Sequence, residues 1–191
     1  NGVLTNGPTW GVTDGRQALD FDGVNDFVNC GGESSAFNFA TGGSFTLSAW
    51  FYTRLVSGYQ VFAANFSGVS GYFFGLYNSR VFGQVDYAYN IAGAIPAVNK
   101  WNHICTTWSG SVVETWLNGA APNSAAATTL TATSQPFFIG GFPSSTAAPM
   151  NGMLDDLRVY NRVLSPQEIQ TLAQRPGIAY ELAPRKTYFI P

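Results

Sequence analysis

Two stretches at opposite ends of the chain decide its fold: ALDFDGVNDFVNC at residues 18–30 and GMLDDLRVYNRVLS at residues 152–165. In both, apolar residues alternate with polar ones, the period-two pattern of a β-strand, and aspartates stand inside that pattern. Because an isolated carboxylate is costly to bury, these aspartates favour a common neighbourhood in the folded chain. The sequence therefore predicts that the first and last strands lie side by side and close a β-sandwich.

Short strand patterns also fill the chain between these two stretches. They occupy residues 44–52, 59–66, 71–77, 81–89, 101–108, 111–117 and 135–140. Turn dipeptides separate them, among them Asn118-Gly119, which favours a tight hairpin because both residues tolerate a positive φ. About ten short strands at this spacing predict an all-β fold, an antiparallel two-sheet jelly-roll sandwich.

One short helix is expected near the C-terminus. Ser165 precedes Pro166, and Glu168 follows three residues after the serine, which is the pattern of a capping box with proline in the first turn. Arg175-Pro176-Gly177 ends the helix. We therefore expect one domain at residues 1–177, followed by a C-terminal tail at residues 178–191.

The composition limits the classes of partner and the cellular locations that are expected for the chain. Only 10% of the 191 residues are charged, and the formal net charge is −2. The basic residues form no stripe, so the sequence predicts no nucleic-acid binding, and no apolar run reaches the roughly 18 residues of a membrane span. A surface this poor in ions is typical of extracellular, cell-surface or virion-associated β-proteins. Cys30 and Cys105 are expected to be free thiols, with one disulfide as the alternative.

Four segments, in this order, resemble a known family: ALDFDGVNDFV, FTLSAWFY, WNHICTTWSGSVVETWLNG and GMLDDLRVYNRVLSPQEI. They resemble the laminin G-like domains of the concanavalin A-like lectin/glucanase superfamily. The resemblance covers residues 15–175 and implies two antiparallel sheets, one of them concave, in a domain that binds glycans or proteins. The segment RPGIAYELAPRK resembles the ends of such domains in bacterial and phage-like proteins.

The first candidate ligand is a structural calcium ion. Asp155 is expected at the end of a core-facing row, where a cation or several N–H donors must satisfy its carboxylate. Related glucanase jelly rolls carry a structural calcium near the aspartate of the last strand, so the resemblance implies Asp155, Asp22 and Asp26 as calcium ligands. The alternative needs no metal: Asp26 then caps the turn at residues 23–25.

Aromatic side chains are the candidates for ligand binding, because they can stack on the C–H faces of sugar rings. Trp50 and Trp116 alternate with apolar residues that suit the core, so they are expected on outward faces. Tyr87 and Tyr89 share one face of a strand pattern. Tyr72 and Tyr77 are further candidates, and the alternative for each of these six residues is packing within a large sandwich.

The sequence does not favour catalysis. Glycoside hydrolysis needs paired carboxylates, whereas Glu114, in the middle of a strand pattern, has no acidic neighbour in sequence. The single histidine, His103, shares a strand face with Cys105, but residues two apart stand roughly 7 Å from each other, too far for a direct hydrogen bond.

The sequence therefore predicts a non-catalytic recognition module that binds carbohydrate, with a glycan or protein ligand as partner. A first alternative is a structural or assembly domain that forms a homo-oligomer through the C-terminal tail. A second alternative is a divergent polysaccharide hydrolase or lyase.

Overall fold

The computed structural model describes residues 2–31, 37–39, 43–86, 88–92, 94–126, 129–143, 148–175 and 188–189, with the backbone alone at residues 89, 188 and 189. Its elements, in chain order, are β1 (Val3–Thr5), β2 (Thr9–Thr13), β3 (Arg16–Asp22), β4 (Phe27–Asn29), β5 (Phe45–Thr53), β6 (Tyr59–Phe66), β7 (Gly71–Tyr77), β8 (Arg80–Val85), β9 (Ala88–Ile91), β10 (Trp101–Trp108), β11 (Val112–Leu117), β12 (Asn123–Ala126), β13 (Phe138–Ile139), β14 (Asn151–Tyr160), α1 (Pro166–Gln174) and β15 (Tyr188–Phe189).

The strands form two antiparallel sheets that pack face to face. The first sheet has the order β1-β4-β13-β6-β7-β8-β9, and the second has the order β12-β11-β10-β5-β14-β3-β2, with β15 paired to β14. The predicted all-β jelly-roll sandwich with one short C-terminal helix is therefore confirmed. In the part of the chain that the structure describes, no helix is long and apolar enough to cross a membrane.

The first and last acid-bearing strands lie side by side, as the sequence predicts. Strand β3 pairs antiparallel with β14, so that Asp22 stands opposite Asn151 and Leu19 opposite Leu154. The apolar members of this pair, Leu19 and Leu154, belong to the core between the sheets. The two ends of the sequence are thus joined within the second sheet.

The core follows from the period-two alternation of the strands. In β5, Phe45, Leu47, Ala49 and Phe51 point between the sheets and are fully buried. Large aromatic rings fill the space from both sheets. Phe51 and Phe62, for example, lie 4.7 Å apart between ring centroids. Burial of this many apolar side chains is the main source of stability in such a domain.

The chain departs from the predicted strands in two ways. Residues 81–89 were expected to form one strand, but Asp86 adopts a positive φ of 46° and separates β8 from β9. Three short edge strands, β1, β2 and β12, span only three to five residues and are not among the predicted strands. In β2, the apolar residues Trp10 and Val12 are 55% and 70% exposed, so this strand adds little to the core.

A β-bulge in β14 changes the side on which Asp155 lies. The register against β5 shifts between Asp155 and Arg158, and Asp156 has a φ of 52°. Leu154 and Leu157 both reach the core as a result, whereas Asp155 lies on the outer face. The expectation of a core-facing Asp155 is therefore wrong, because the extra residue reverses the alternation.

Helix α1 starts as predicted. The Ser165 hydroxyl accepts from the Glu168 N–H at 3.3 Å, and the Glu168 carboxylate accepts from the Ser165 N–H at 2.8 Å. Arg162 also donates to Glu168, and this hydrogen bond, with the capping contacts, lowers the glutamate's pKa to about 2. On its inner side, Ile169 and Leu172 are buried against the outer face of the second sheet.

Candidate functional site

The outer face of the first sheet carries an open aromatic pocket. Its lining consists of Tyr59, Tyr77, Phe82, Gln84 and Ile91, and its volume is about 180 Å³. We call this site the aromatic pocket. Four neighbouring strands, β6 to β9, contribute to it, so its shape is set by sheet geometry rather than by long loops.

Strand register brings these side chains together. Tyr59 stands opposite Tyr77, and Phe82 stands opposite Ile91, so each pair projects from the same face of the sheet. Between Phe73 and Tyr77 the face carries only Gly75, which lies opposite Phe82. A Cβ atom at Gly75 would clash with the backbone oxygen of Gln60, next to the irregular register of β6, so the position must remain without a side chain.

Ring contacts hold the pocket walls in place. Tyr59 stacks on Phe82 at 5.3 Å and meets Tyr77 edge to face at 5.8 Å. Phe82 in turn packs edge to face on Phe73 at 5.3 Å. Phe82 is only 2% exposed, whereas Tyr77 is 42% exposed. The pocket is therefore preformed, with a fixed floor and one ring open to solvent.

One amide supplies a polar group in the pocket. The Gln84 side-chain nitrogen donates to the Asp86 backbone oxygen at 2.5 Å, which fixes the orientation of the amide. Among the hydrogen bonds of the described residues, none has the Gln84 side-chain oxygen as acceptor. That oxygen can accept a hydrogen bond from a ligand hydroxyl.

This combination suits a ligand with one apolar face and several hydroxyl groups. Aromatic rings and Ile91 offer contact to C–H groups, and Gln84 offers directional bonding at the wall. Binding sites for small ligands commonly have this composition, apolar with few fixed polar groups. Because none of the five lining side chains is acidic, the described walls supply no carboxylate for general acid or base chemistry.

Helix α1, in contrast, covers part of the outer face of the second sheet. Trp116 is 5% exposed and packs with Cys105, Tyr160, Leu164 and the inner residues of α1. The prediction that Trp116 faces away from the core between the sheets is correct. However, the helix occupies the position that a ligand would need, so Trp116 does not offer a stacking surface.

Trp50 lies on the same outer face and already has partners. Its indole nitrogen donates to the backbone oxygen of Leu172 at 3.3 Å. The Arg16 guanidinium lies 4.5 Å from the Trp50 ring and 4.7 Å from the Trp101 ring, so it is held between two indoles. Asp155 completes this arrangement through an ion pair to Arg16 at 3.3 Å.

His103 is buried beside Trp50 and is 1% exposed. Its Nε2 atom is hydrogen-bonded to Ser48 Oγ at 2.8 Å. Burial, with smaller effects of Arg158 and Arg16, lowers its pKa to about 3, so it is neutral at physiological pH. Cys105 is also buried, and burial raises its thiol pKa. Both Cys30 and Cys105 are free, as expected.

The three aspartates implied as calcium ligands do not converge. Asp22 and Asp26 share a turn, in which Asp26 accepts from the Asp22 N–H at 3.0 Å and Asp22 accepts from the Val24 N–H at 2.7 Å. Asp155 is four residues from Asn151, the partner of Asp22, and thus roughly 13 Å further along the sheet. No cluster of three metal-binding side chains occurs among the described residues. Asp155 therefore lies apart from the other two implied ligands, and calcium bound by Asp155, Asp22 and Asp26 stays a prediction.

Of the remaining ligand-binding candidates, Tyr77 lines the aromatic pocket, whereas Tyr72 is buried in the core between the sheets. Tyr87 lies outside the described residues. The backbone of Tyr89 pairs with Gln84, a residue of the pocket wall. Sequence reasoning singled out neither Phe82 nor Gln84, although the alternation of residues 81–85 places these two on one face.

A family model described as the concanavalin A-like lectin/glucanases superfamily, of the laminin G type, matches residues 22–170. The match spans most of the chain, and the protein belongs to this family. No curated protein matches the chain by sequence.

Solved structures share the fold at low identity. Domain 4 of AbnA, a GH43 extracellular arabinanase from Geobacillus stearothermophilus, in complex with arabinotriose, is 15% identical with a TM-score of 0.70, covering 91% of this chain and 88% of that one. The binding domain of Paraclostridial Mosquitocidal Protein 1 is 17% identical with a TM-score of 0.71, covering 91% and 47%. Trypanosoma rangeli sialidase is 20% identical with a TM-score of 0.63, covering 86% and 28%. The chain thus spans about half of the toxin domain and under a third of the sialidase.

Proposed function

We propose that the protein is a non-catalytic recognition module that binds a glycan in the aromatic pocket of an extracellular, cell-surface or virion-associated protein. The observation that carries this proposal is the pocket itself: a preformed aromatic cavity with an amide oxygen available to accept hydrogen bonds. The structurally similar AbnA domain in complex with arabinotriose supports the choice of ligand class.

The arrangement of acids supports binding without turnover. Glycoside hydrolysis requires two carboxylates about the scissile bond, roughly 5 to 10 Å apart. The pocket lining contains no acid, and Glu114 lies on β11, in the other sheet, where its carboxylate accepts from Thr107 at 3.3 Å.

The test is glycan binding by the wild-type chain and by pocket variants. A glycan array identifies a ligand, and titration calorimetry then compares wild type with Tyr77→Ala, which removes the most exposed ring of the lining. We expect roughly a 5- to 30-fold loss of affinity, because a stacked aromatic residue in a ligand site contributes roughly 1–2 kcal/mol.

The matched control is Trp10→Ala. Trp10 is 55% exposed on edge strand β2, in the other sheet, so its removal also deletes an exposed aromatic ring. We expect unchanged affinity for this variant. Equal affinity of Tyr77→Ala and wild type would contradict the assignment of the pocket.

A further inference from the structure

Charges are almost absent from the part of the chain that builds the aromatic pocket. Across residues 55–99, which include β6 to β9, the sequence contains one basic residue, Arg80, and one acidic residue, Asp86. They stand at opposite ends of β8, six residues apart, which corresponds to roughly 20 Å along a strand. The net charge beside the pocket therefore depends on which groups bind the Asp86 carboxylate and the Arg80 guanidinium.

The Asp86 carboxylate is satisfied by hydrogen bonds from neighbouring backbone and side-chain donors. Its carboxylate accepts from the Gly71 N–H at 2.8 Å, and from both the N–H and the hydroxyl of Thr131 at 2.9 Å. The residue is 6% exposed and ties the β8–β9 turn to the loop at residues 129–131. A carboxylate held in this way neither reaches Arg80 nor offsets its charge.

Arg80 stands at the rim of the aromatic pocket. It is the direct ladder partner of Tyr77, across the two-residue turn Asn78-Ser79, in which both residues have a positive φ. Directly paired side chains project from the same face with Cβ atoms about 5 Å apart, so Arg80 shares the face of Tyr77. Phe82, two residues further on, lines the pocket from that same face.

No acid neutralises Arg80 within the described chain. The ion pairs among the described residues involve Arg16, Arg54, Arg158 and Arg162, and none involves Arg80. A guanidinium beside an aromatic wall, without a counter-ion, is complementary to a carboxylate or a sulfate group, because two of its N–H donors can bind two oxygens of the anion at once.

We propose that the aromatic pocket selects an acidic sugar, with the sugar ring against Tyr77 and its anionic group on the Arg80 guanidinium. This inference rests on the proposed function and adds the ligand class. A carboxylate on a uronic or sialic residue and a sulfate ester supply the same anionic chemistry. Because Arg80 is only partly buried, the preference weakens as salt screens the charge.

The experiment compares three oligosaccharides of equal length by calorimetry: a neutral galactan, the corresponding galacturonate and a sulfated galactan. Wild type is expected to bind at least one acidic oligomer at least tenfold more tightly than the neutral one. Arg80→Gln is expected to abolish that difference. Arg175→Gln, which removes an exposed charge at the end of α1, is expected to retain it.

The outcomes distinguish a failure of the acidic preference from a failure of the glycan pocket itself. If wild type binds all three oligomers equally and Tyr77→Ala still weakens binding, the acidic preference is wrong and the glycan pocket stands. If binding is insensitive to Tyr77→Ala altogether, the pocket assignment is wrong. A preference for galacturonate that survives Arg80→Gln places the anion elsewhere and overturns this inference. Dependence on Arg80 with only the sulfated oligomer identifies sulfate as the anionic group and supports it.

Discussion

The outer faces of the two sheets are both built from strands with alternating side chains, but a helix packs on one face and an open cavity lies on the other. On the second sheet, Trp116 is buried in one cluster with Ile169 and Leu172 of helix α1, and the Trp50 indole donates to the Leu172 backbone oxygen. On the first sheet, Tyr59 and Tyr77 border an open cavity. An outward-facing aromatic residue is therefore a binding candidate only where no other element of the chain covers it.

The polar side chains of the two outer faces also differ in whether they have partners within the chain. On the outer face of the second sheet, His103 is neutral, and Arg16 lies between two indoles and is paired to Asp155. Beside the aromatic pocket, Gln84 keeps an acceptor oxygen available and Arg80 carries no ion pair among the described residues. One face uses its polar groups for stability, and the other leaves them available for a ligand.

The largest expected effect comes from the covered face. Trp116→Ala removes a buried indole between the sheet and α1, which should lower the free energy of unfolding by about 3–5 kcal/mol, because a large cavity remains. Urea denaturation measures the loss, and the folded fraction should still bind glycan with wild-type affinity. Tyr77→Ala should cost less than about 1 kcal/mol, since Tyr77 is largely at the surface. A reversed order of the two stabilities would contradict the assignment of covered and open faces.

The second-largest expected effect is a pH dependence of the free energy of unfolding that arises from His103. Its pKa is about 3 in the folded chain against an ordinary 6.5, so between these values the unfolded state binds a proton that the folded state does not. Stability therefore falls as the pH is lowered through this window, by about 2–3 kcal/mol between pH 6.5 and 4.5. His103→Gln should flatten that part of the curve, as measured by urea denaturation at several pH values. Equal slopes for wild type and variant would show that the pKa of His103 is the same in the folded and the unfolded chain.

A smaller effect is expected at the start of the covering helix. The pKa of Glu168 is about 2 when folded against an ordinary 4.5, so its stabilisation is complete above pH 4.5 and disappears as the pH falls toward 2. Glu168→Gln keeps the capping-box geometry but removes the charge that Arg162 binds. We expect a loss of about 1 kcal/mol at pH 7, none near pH 2, and unchanged glycan binding. Glu114→Gln, which removes an acid without an arginine partner, is the control and should leave stability within about 0.5 kcal/mol of wild type.

Most of the fold could be predicted from the sequence because its central strands have a strong alternation. The predicted bounds of β6, β7 and β10 agree with the structure, and the capping box located α1. Edge strands such as β2 are only about five residues long and bury none of their side chains, so their pattern in the sequence is too short to identify them. The bulge at Asp156 depends on pairing with β5, which periodicity alone does not reveal.

The site was harder to predict than the fold. Alternation correctly placed Trp50 and Trp116 on an outer face, but only tertiary packing shows that α1 covers them. The aromatic pocket depends on the cross-strand pairing of Tyr59 with Tyr77 and on the missing side chain at Gly75. Such pairings join residues far apart in sequence, and no local pattern specifies them.

Calcium should produce the smallest effect. Asp22 and Asp26 are the only two of the implied ligands that lie together, and each already accepts a backbone N–H. Two carboxylates without Asp155 make a weak site, since calcium prefers six to eight oxygen ligands. We expect the melting midpoint to differ by less than about 2 °C between 1 mM calcium and EGTA, because weak binding adds little stability. A rise of several degrees with calcium, lost in Asp26→Asn, would show that this turn gathers further oxygen ligands. It would also give the covered sheet a bound ion in addition to its helix.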